Sequence, residues 1–188
     1  NFAGPSGGTL YNCTLTGNSA GAYGCTLYNC ALSGNEGGGA GGSTLYNCTL
    51  IGNECGGAGS CTLYNCTLTG NQGGGANFCT LYNCMVTGNP ASEYGSGGVY
   101  SIFFNCTVTG NDGGCVLYAS LLFNSIVYYN YGGNNGEGTT FNYCCITPLP
   151  TDGVGNITGP PLFMDMAAGD FRLREESPCI DAGTNLMG

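Results

Sequence analysis

The stretch Cys61-Thr62-Leu63-Tyr64-Asn65-Cys66-Thr67-Leu68-Thr69-Gly70-Asn71 decides the fold, because variants of it recur along most of the chain. Its Leu-Tyr-Asn-Cys core begins at Leu10, Leu27, Leu45, Leu63 and Leu81, and it returns as Phe103-Phe104-Asn105-Cys106 and Leu122-Phe123-Asn124-Ser125. The cysteines that end this core, from Cys13 through Cys30, Cys48, Cys66 and Cys84 to Cys106, are 17, 18, 18, 18 and 22 residues apart, and steps of 19 and 20 lead to Ser125 and Cys145. A period of about 20 residues with glycine-rich connections predicts a solenoid, in which each unit buries its apolar face only against its neighbours.

The repeat therefore predicts an all-β protein, a parallel β-helix of about eight turns closed by an irregular C-terminal cap. The repeats fill residues 1–146, and residues 147–188 form a cap or docking segment of the same domain. Five of the seven Pro, three of the four Met and both Arg lie in that second segment. About 40 residues rarely build a core of their own, so a second domain is not expected.

Alternation along the strands assigns side chains to the two faces of the coil. Leu63 faces the interior and Tyr64 the outside. In the next segment Cys66 and Leu68 face the interior. These two phases agree only if the chain bends at Asn65, and asparagine suits a bend because it tolerates a left-handed backbone. The equivalent asparagines are predicted to stack into an amide ladder along a corner that faces inward: Asn12, Asn29, Asn47, Asn65, Asn83, Asn105 and Asn124.

The repeat resembles the right-handed parallel β-helix repeat of bacterial surface proteins. Polymorphic outer-membrane proteins and autotransporter-like passengers carry similar units. They have Phe-x-x-Asn where this chain has Leu-x-x-Asn, as in Leu15-Thr16-Gly17-Asn18. The segments Gly169-Asp170-Phe171-Arg172-Leu173 and Ser177-Pro178-Cys179-Ile180-Asp181-Ala182-Gly183 resemble the closing motif of secreted bacterial β-helix proteins. The resemblance implies the fold and its right-handed coil more strongly than the function, because such solenoids serve as lyases, adhesins and fibres alike.

Composition excludes several classes of partner. The 188 residues carry a net charge of -9, with two Arg, no Lys and no His. Nucleic acid and anionic membrane surfaces need basic residues, so neither is expected as a partner. No apolar run is long enough for a membrane span. No cofactor-binding motif is recognised, so no cofactor is expected. The combination of 14 Cys with no Lys predicts an extracellular or cell-surface protein.

The cysteines leave two interpretations open. Most of them recur at two positions of the repeat, and stacked strands about 4.8 Å apart lie within the Cα separation that a disulfide tolerates. The alternative is that cysteine serves as a small core residue in a narrow interior. The candidate disulfide cysteines are the neighbouring pair Cys61 and Cys79, and four that lie off both columns, Cys55, Cys115, Cys144 and Cys179. A metal site is not expected, because the chain has neither a Cys-x-x-Cys pair nor a His.

An aromatic strip is predicted on the outside of the coil. Its members are Tyr11, Tyr28, Tyr46, Tyr64, Tyr82, Phe104 and Phe123. In-register stacking that stiffens the sheet explains such a strip. A contact surface for another protein or for carbohydrate explains it as well.

The first turn is expected to leave an open strand edge, because Asn1 and Asn18 occupy equivalent positions of the repeat and no polar cap precedes Asn1. The edge consists of Thr9, Leu10, Tyr11, Asn12, Cys13, Thr14 and Leu15. An open edge pairs with a second copy of the chain, so we expect a secreted structural protomer that assembles head-to-tail into an extracellular filament or surface layer. The alternatives are an adhesin or passenger fragment that binds glycans or a host surface and, third, an enzyme that degrades polysaccharide.

Catalytic groups are sparse in the repeats. A polysaccharide lyase needs a basic residue, and the repeats before Thr147 contain no Arg, Lys or His. Glu36 and Glu54 occupy equivalent positions in adjacent units and could form the carboxylate pair of a glycoside hydrolase. The same position holds Ser19, Gln72, Pro90 and Asp112 in other units, in a corner loop, which favours solvated loop charges. From the sequence we therefore expect no catalytic residues and a chain that is not an enzyme.

Overall fold

The computed structural model describes residues 3–90, 95–113, 116–133 and 136–185. Within these ranges the strands coil into a parallel β-solenoid of about seven turns, and no helix is present. The predicted all-β parallel β-helix is confirmed. None of the described residues belongs to a helix long and apolar enough to cross a membrane.

Three parallel sheets run along the solenoid. The first sheet contains Thr9–Tyr11, Thr26–Tyr28, Thr44–Tyr46, Thr62–Tyr64, Thr80–Tyr82, Ile102–Phe104, Leu121–Phe123 and Thr140–Asn142. The second contains Thr14–Thr16, Ala31–Ser33, Thr49–Ile51, Thr67–Thr69, Met85–Thr87, Thr107–Thr109, Ile126–Tyr128 and Cys145–Ile146. The third contains Ala22–Tyr23, Ala40–Gly41, Ala58–Gly59, Ala76–Asn77, Gly98–Val99 and Leu117–Tyr118.

Identical residues stack in register, and this register places the core. Leu63 pairs with Leu45 on one side and Leu81 on the other. The middle residue of each three-residue strand in the first two sheets points inward, and all three leucines are fully buried. Each buried leucine stabilises the coil by about 1.5–3 kcal/mol. The interior is therefore a continuous apolar column that no single turn could form alone.

Each turn has three corners at which the backbone adopts a positive φ. The first is an asparagine, such as Asn65 with φ of 53°, and the second is a glycine, such as Gly70 with φ of 64°. Both residue types tolerate this left-handed conformation. The predicted bend at Asn65 is confirmed. The third corner is variable and is formed by Gly24, Gly42, Ser60, Phe78, Tyr100 and Ala119.

The residue after each corner points into the coil and supplies a side-chain hydrogen-bond acceptor. After the glycine corner this residue is an asparagine, and these residues form an inner Asn ladder: Asn18, Asn35, Asn53, Asn71, Asn89, Asn111 and Asn130. The Oδ1 of Asn71 accepts the Asn53 backbone N–H at 3.0 Å, while its Nδ2 donates to Leu50 O at 3.0 Å and to Asn89 Oδ1 at 3.1 Å. Asn71 is fully buried, and its amide leaves no backbone group of the corner unpaired.

The corner that we expected to face inward faces the solvent instead. Asn12, Asn29, Asn47, Asn65, Asn83 and Asn105 are exposed, and Asn124 is half-buried. At a left-handed corner residue the side chain leaves the coil, and the next residue enters it. The inward amide ladder is thus one corner further along the chain, in the asparagines that follow the glycines. We call the exposed set the outer Asn ladder.

The C-terminal residues close the last turn of the coil. Tyr143 N–H donates to Val154 O at 2.7 Å. Ile157 N–H donates to Cys144 O at 2.9 Å, and Ile157 O accepts the Ile146 N–H at 2.8 Å. Asn156 Oδ1 accepts the Cys144 N–H at 2.9 Å, the role that corner side chains play elsewhere. An antiparallel pair, Phe163–Asp165 with Asp170–Leu173, follows. The division of the domain at residue 146 stays a prediction.

We predict that Asn71→Ala destabilises the protein by about 2–5 kcal/mol, because in a dry interior it removes the acceptor of the Asn53 backbone N–H, the amide donor to Leu50 O and one hydrogen bond from each of two neighbouring amides. Guanidinium unfolding monitored by circular dichroism measures the change. The matched control is Asn65→Gly in the outer Asn ladder, which keeps a residue that tolerates positive φ and should cost less than about 1 kcal/mol. Equal losses in the two variants would contradict the role of the inner Asn ladder.

Candidate functional site

Ten of the cysteines line the interior as corner side chains. One column follows the asparagine corner and contains Cys13, Cys30, Cys48, Cys66, Cys84, Cys106 and Cys144, with Ser125 in the same row. The other follows the variable corner and contains Cys25, Cys61 and Cys79, with Ser43, Ser101 and Ser120 in the same row. We call these two columns the thiol ladders. The 13 described cysteines are free thiols.

The thiol ladders are held by hydrogen bonds. Cys66 Sγ accepts the Cys48 backbone N–H at 3.4 Å and donates to Tyr64 O at 3.3 Å. Ser125 Oγ makes the same two contacts, with Cys106 N–H at 3.0 Å and Phe123 O at 2.8 Å. Cysteine and serine exchange along the ladder because each offers one donor and one acceptor at a buried corner. The ladder needs this hydrogen-bonding group rather than a bond between two sulfurs.

The candidate disulfide cysteines occupy several environments. Cys61 and Cys79 are neighbours in a thiol ladder, where Cys61 N–H donates to Cys79 Sγ at 3.4 Å. We expected Cys144 to lie off both columns and Cys145 to occupy the ladder position. Cys145 instead pairs with Ile126, so the ladder residue of this turn is Cys144. Cys55 is exposed. Cys115 lies outside the described residues.

Two ladder thiols are held in the protonated form near neutral pH. Burial raises the pKa of Cys144 to about 11. Hydrogen bonding to the Cys106 side chain, together with burial, raises the pKa of Cys84 to about 12. Since the thiolate is the reactive form of cysteine, Cys84 and Cys144 are inert near neutral pH, whereas hydrogen bonding with the Cys79 side chain lowers the pKa of Cys61.

The aromatic strip lies on the outside of the first sheet. Neighbouring rings from Tyr11 to Tyr82 are stacked with centroids 4.8–4.9 Å apart and planes within 5–9°. Phe104 and Phe123 continue the stack at 5.0 and 5.5 Å. Each ring covers the face of the next one, so the inner members of the strip present ring edges and hydroxyl groups to the solvent.

The outer Asn ladder runs beside the aromatic strip. Asn65 Nδ2 donates to Asn47 Oδ1 at 3.3 Å, and Asn47 donates to Asn29 at 3.2 Å. Asn124, at the other end of the ladder, bonds both backbone groups of Thr184, with its Oδ1 and Nδ2 each 2.9 Å away. These two hydrogen bonds hold residues 177–185 beside the aromatic strip, and we call this segment the C-terminal arm.

A groove of about 930 Å³ lies between the aromatic strip and the C-terminal arm. It is lined by Tyr82, Phe104, Asn105, Asn124, Cys179, Asp181, Gly183, Thr184 and Asn185. The sequence predicted the aromatic and asparagine residues of this lining as members of stacked columns, and Cys179 as a candidate disulfide cysteine. It missed the rest of the arm as a wall of the groove, because Thr184 is 60 residues from Asn124 in the chain. The sequence signal for the arm is the resemblance of its residues 177–183 to a closing motif, and that resemblance stays a prediction.

The groove combines apolar edges with hydrogen-bonding groups. Phe104 and Tyr82 supply ring edges, Asn105 supplies an exposed amide, and Asp181 supplies a carboxylate. The described lining contains no basic side chain. Such a surface can bind a neutral polar ligand through paired donors and acceptors.

The candidate carboxylates and metal ligands lie elsewhere or are dispersed. Glu36 and Glu54 stand in equivalent positions of adjacent turns, each donating its backbone N–H to the preceding turn at 2.9 Å, and both are exposed. Among the described residues, no three His, Cys, Asp or Glu side chains converge as a metal site.

Comparisons with known proteins show the fold. No protein-family model and no curated protein sequence matches the chain. Among solved structures, the chain is similar to the pectate lyase Pel9A, with 15% identity over 91% of this chain and a TM-score of 0.56. It is also similar to the tailspike protein gp49 from Pseudomonas phage LKA1, with 19% identity over 76% of this chain and a TM-score of 0.44. The chain spans 64% of the length of the lyase and 28% of the tailspike.

The likeness to Pel9A supports the β-helix repeat fold, whereas the finer resemblance to polymorphic outer-membrane proteins stays a prediction. It also contradicts our expectation that the chain is not an enzyme, because a lyase is built on the same coil. We withdraw that expectation. At 15% identity the likeness shows the fold alone.

We predict that Cys66→Ser leaves the free energy of unfolding within about 1 kcal/mol of the parent, because the hydroxyl keeps both hydrogen bonds. Cys66→Ala should cost about 1–3 kcal/mol, because the Cys48 N–H loses its acceptor. Chemical unfolding of the two variants checks this order. If both variants lost stability equally, sulfur packing rather than hydrogen bonding would explain the ladder.

Proposed function

We propose that this chain is a polysaccharide-binding β-helix that holds a neutral glycan in the groove between the aromatic strip and the C-terminal arm. The observation that carries the proposal is the lining of that groove, where an amide, a carboxylate and aromatic edges meet in one open channel. Its volume of about 930 Å³ is within the range of small-ligand sites.

The repetition of the surface favours a polymeric ligand. The aromatic strip and the outer Asn ladder lead away from the groove and offer the same groups on every turn, with ring centroids 4.8–4.9 Å apart. A chain of sugar units can use repeated donors and acceptors that a single small molecule cannot. Recognition along the strip would rely on amides, hydroxyls and ring edges, since the ring faces are covered.

The charge of the groove favours a neutral sugar. Asp181 is a carboxylate, and Arg172 and Arg174 do not line the groove. Pectate, the substrate named for Pel9A, is an anionic polymer, and a negative, cation-free surface repels it. The shared fold supports a carbohydrate ligand for this chain, and the lining favours a different class of carbohydrate.

We predict that Phe104→Ala and Asp181→Asn each weaken binding to a neutral polysaccharide by about tenfold or more, a change of about 1.4 kcal/mol. The measurement is calorimetry or a glycan array with neutral and acidic polysaccharides in parallel. Asparagine at position 181 keeps a residue that tolerates the observed φ of 57°.

The matched control is Phe78→Ala, which removes an exposed ring outside both the aromatic strip and the groove and should leave the affinity unchanged. Absence of binding to all neutral polysaccharides, or an equal loss in Phe78→Ala and Phe104→Ala, would refute the groove. Release of reducing ends is assayed on the same samples, and cleavage would extend the proposal from binding to degradation.

Head-to-tail assembly into a filament is a second proposal. In the first turn Leu10, Cys13 and Leu15 are half-buried, whereas the equivalent Leu27 and Leu32 in the next turn are fully buried. The apolar side chains of the first turn are therefore suited to cover by another turn of the same kind. The extracellular or cell-surface location also stays a prediction, and it accords with both proposals.

We predict filaments with an axial repeat of about 40 Å, from about eight stacked strands. Electron microscopy of the purified chain shows them, and Leu15→Asp should abolish them because it places a charge on the apolar edge. The control is Thr16→Asp, which changes an exposed neighbour. A monodisperse monomer by sedimentation at high concentration would overturn the filament and leave the glycan proposal standing.

A further inference from the structure

Two cysteines meet where the C-terminal arm crosses the last turn of the coil. Cys145 lies in the second sheet, at an outward position that pairs with Ile126. Its side chain contacts that of Cys179 in the arm, 34 positions later in the chain. Both residues line a small cavity of about 40 Å³ together with Ala182 and Gly183. They are free thiols that line the same cavity, and they belong to two segments that are distant in sequence.

This pair differs from the thiol ladders. Cys145 should face the solvent by its register, yet the arm covers it and leaves it 4% exposed. Its thiol donates to Gly159 O at 3.1 Å, in the C-terminal segment, whereas a ladder thiol such as Cys66 donates to Tyr64 O two residues before it. Cys179 is half-buried and lines the groove, where a dissolved reagent can reach it. Every ladder thiol other than Cys13 is buried, and its neighbours in the ladder come from adjacent turns.

The local chemistry favours Cys179 as the attacking group. Hydrogen bonding from the Cys145 thiol, supported by Ser177, lowers the pKa of Cys179 to about 7. The same contact raises the pKa of Cys145. Near neutral pH a substantial fraction of Cys179 is therefore thiolate, which is the nucleophile in thiol–disulfide exchange.

We propose that Cys145 and Cys179 form a disulfide that fastens the C-terminal arm to the last turn of the coil. The oxidant is a low-molecular-weight disulfide such as oxidised glutathione. The Cys179 thiolate attacks one sulfur of this reagent, breaks its S–S bond and releases one thiol. Cys145 then loses its proton and attacks Cys179 in the mixed disulfide, which forms the protein disulfide and releases the second thiol. Two protein thiols are oxidised and one reagent disulfide is reduced to two thiols.

The disulfide would fix one wall of the groove. Asp181 and Gly183 follow Cys179 closely in the arm, and Thr184 is already bonded to Asn124. With the arm tied at Cys179 as well, the wall is anchored at two points. The disulfide stands on the contact between the two cysteines and does not depend on what the groove binds.

The test is oxidation of the full chain in a glutathione redox buffer at neutral pH, followed by peptide mapping. We expect one linkage, Cys145 to Cys179, and a melting temperature raised by about 5 °C or more over the reduced protein. Cys145→Ser should trap Cys179 as a stable mixed disulfide with glutathione. The control variant Cys55→Ser removes an exposed cysteine outside the pair and should form the linkage as the parent does.

Three results would overturn the proposal. They are a parent chain that stays fully reduced, a linkage that joins Cys179 to a ladder cysteine, and a mixed disulfide at Cys179 that persists although Cys145 is present. Cys179→Ser provides a second reading if Cys145→Ser fails to fold, because it should leave Cys145 unmodified by the reagent while the coil remains intact. None of these outcomes bears on glycan binding, which is measured separately on the reduced chain.

Discussion

The hydrogen-bond requirement at the corners governs the whole structure. A solenoid turn must change direction three times, and after each left-handed residue one backbone N–H faces a neighbouring turn without a backbone acceptor. Asn71 meets that requirement with an amide, Cys66 with a thiol and Ser125 with a hydroxyl. Because an unpaired N–H in a dry interior costs about 1–3 kcal/mol, every turn must carry these inward polar groups. The cysteine content of the chain follows largely from this requirement.

The sequence predicted the coil well because its period is the period of the fold. The inward Leu63, the outward Tyr64 and the bend at Asn65 all followed from alternation and from the tolerance of asparagine for positive φ. The direction of the Asn65 side chain was wrong, since alternation does not hold across a left-handed residue. The ladder position at Cys145 was wrong by one residue, because two adjacent cysteines offer the repeat two registers and only the pairing with Ile126 decides between them.

The groove was beyond sequence reasoning for a different reason. Its floor belongs to the repeats, but its wall is an irregular segment whose position depends on tertiary contacts such as the one between Asn124 and Thr184. No periodicity describes that segment. The aromatic strip and the outer Asn ladder border a groove only because the C-terminal arm lies beside them. The fold shared with a lyase does not identify the ligand of the groove. The amide and carboxylate groups of the lining determine which ligands it can hydrogen-bond.

The two amide ladders are polarised in opposite directions. Inside the coil each Nδ2 donates to the asparagine of the following turn, as Asn53 does to Asn71 at 2.9 Å. Outside it each Nδ2 donates to the preceding turn, as Asn47 does to Asn29 at 3.2 Å. Aligned amide dipoles in a low-dielectric interior reinforce one another. The inner Asn ladder therefore adds a dipole along the axis of the coil. Inserting or deleting a whole turn leaves the direction of this dipole unchanged.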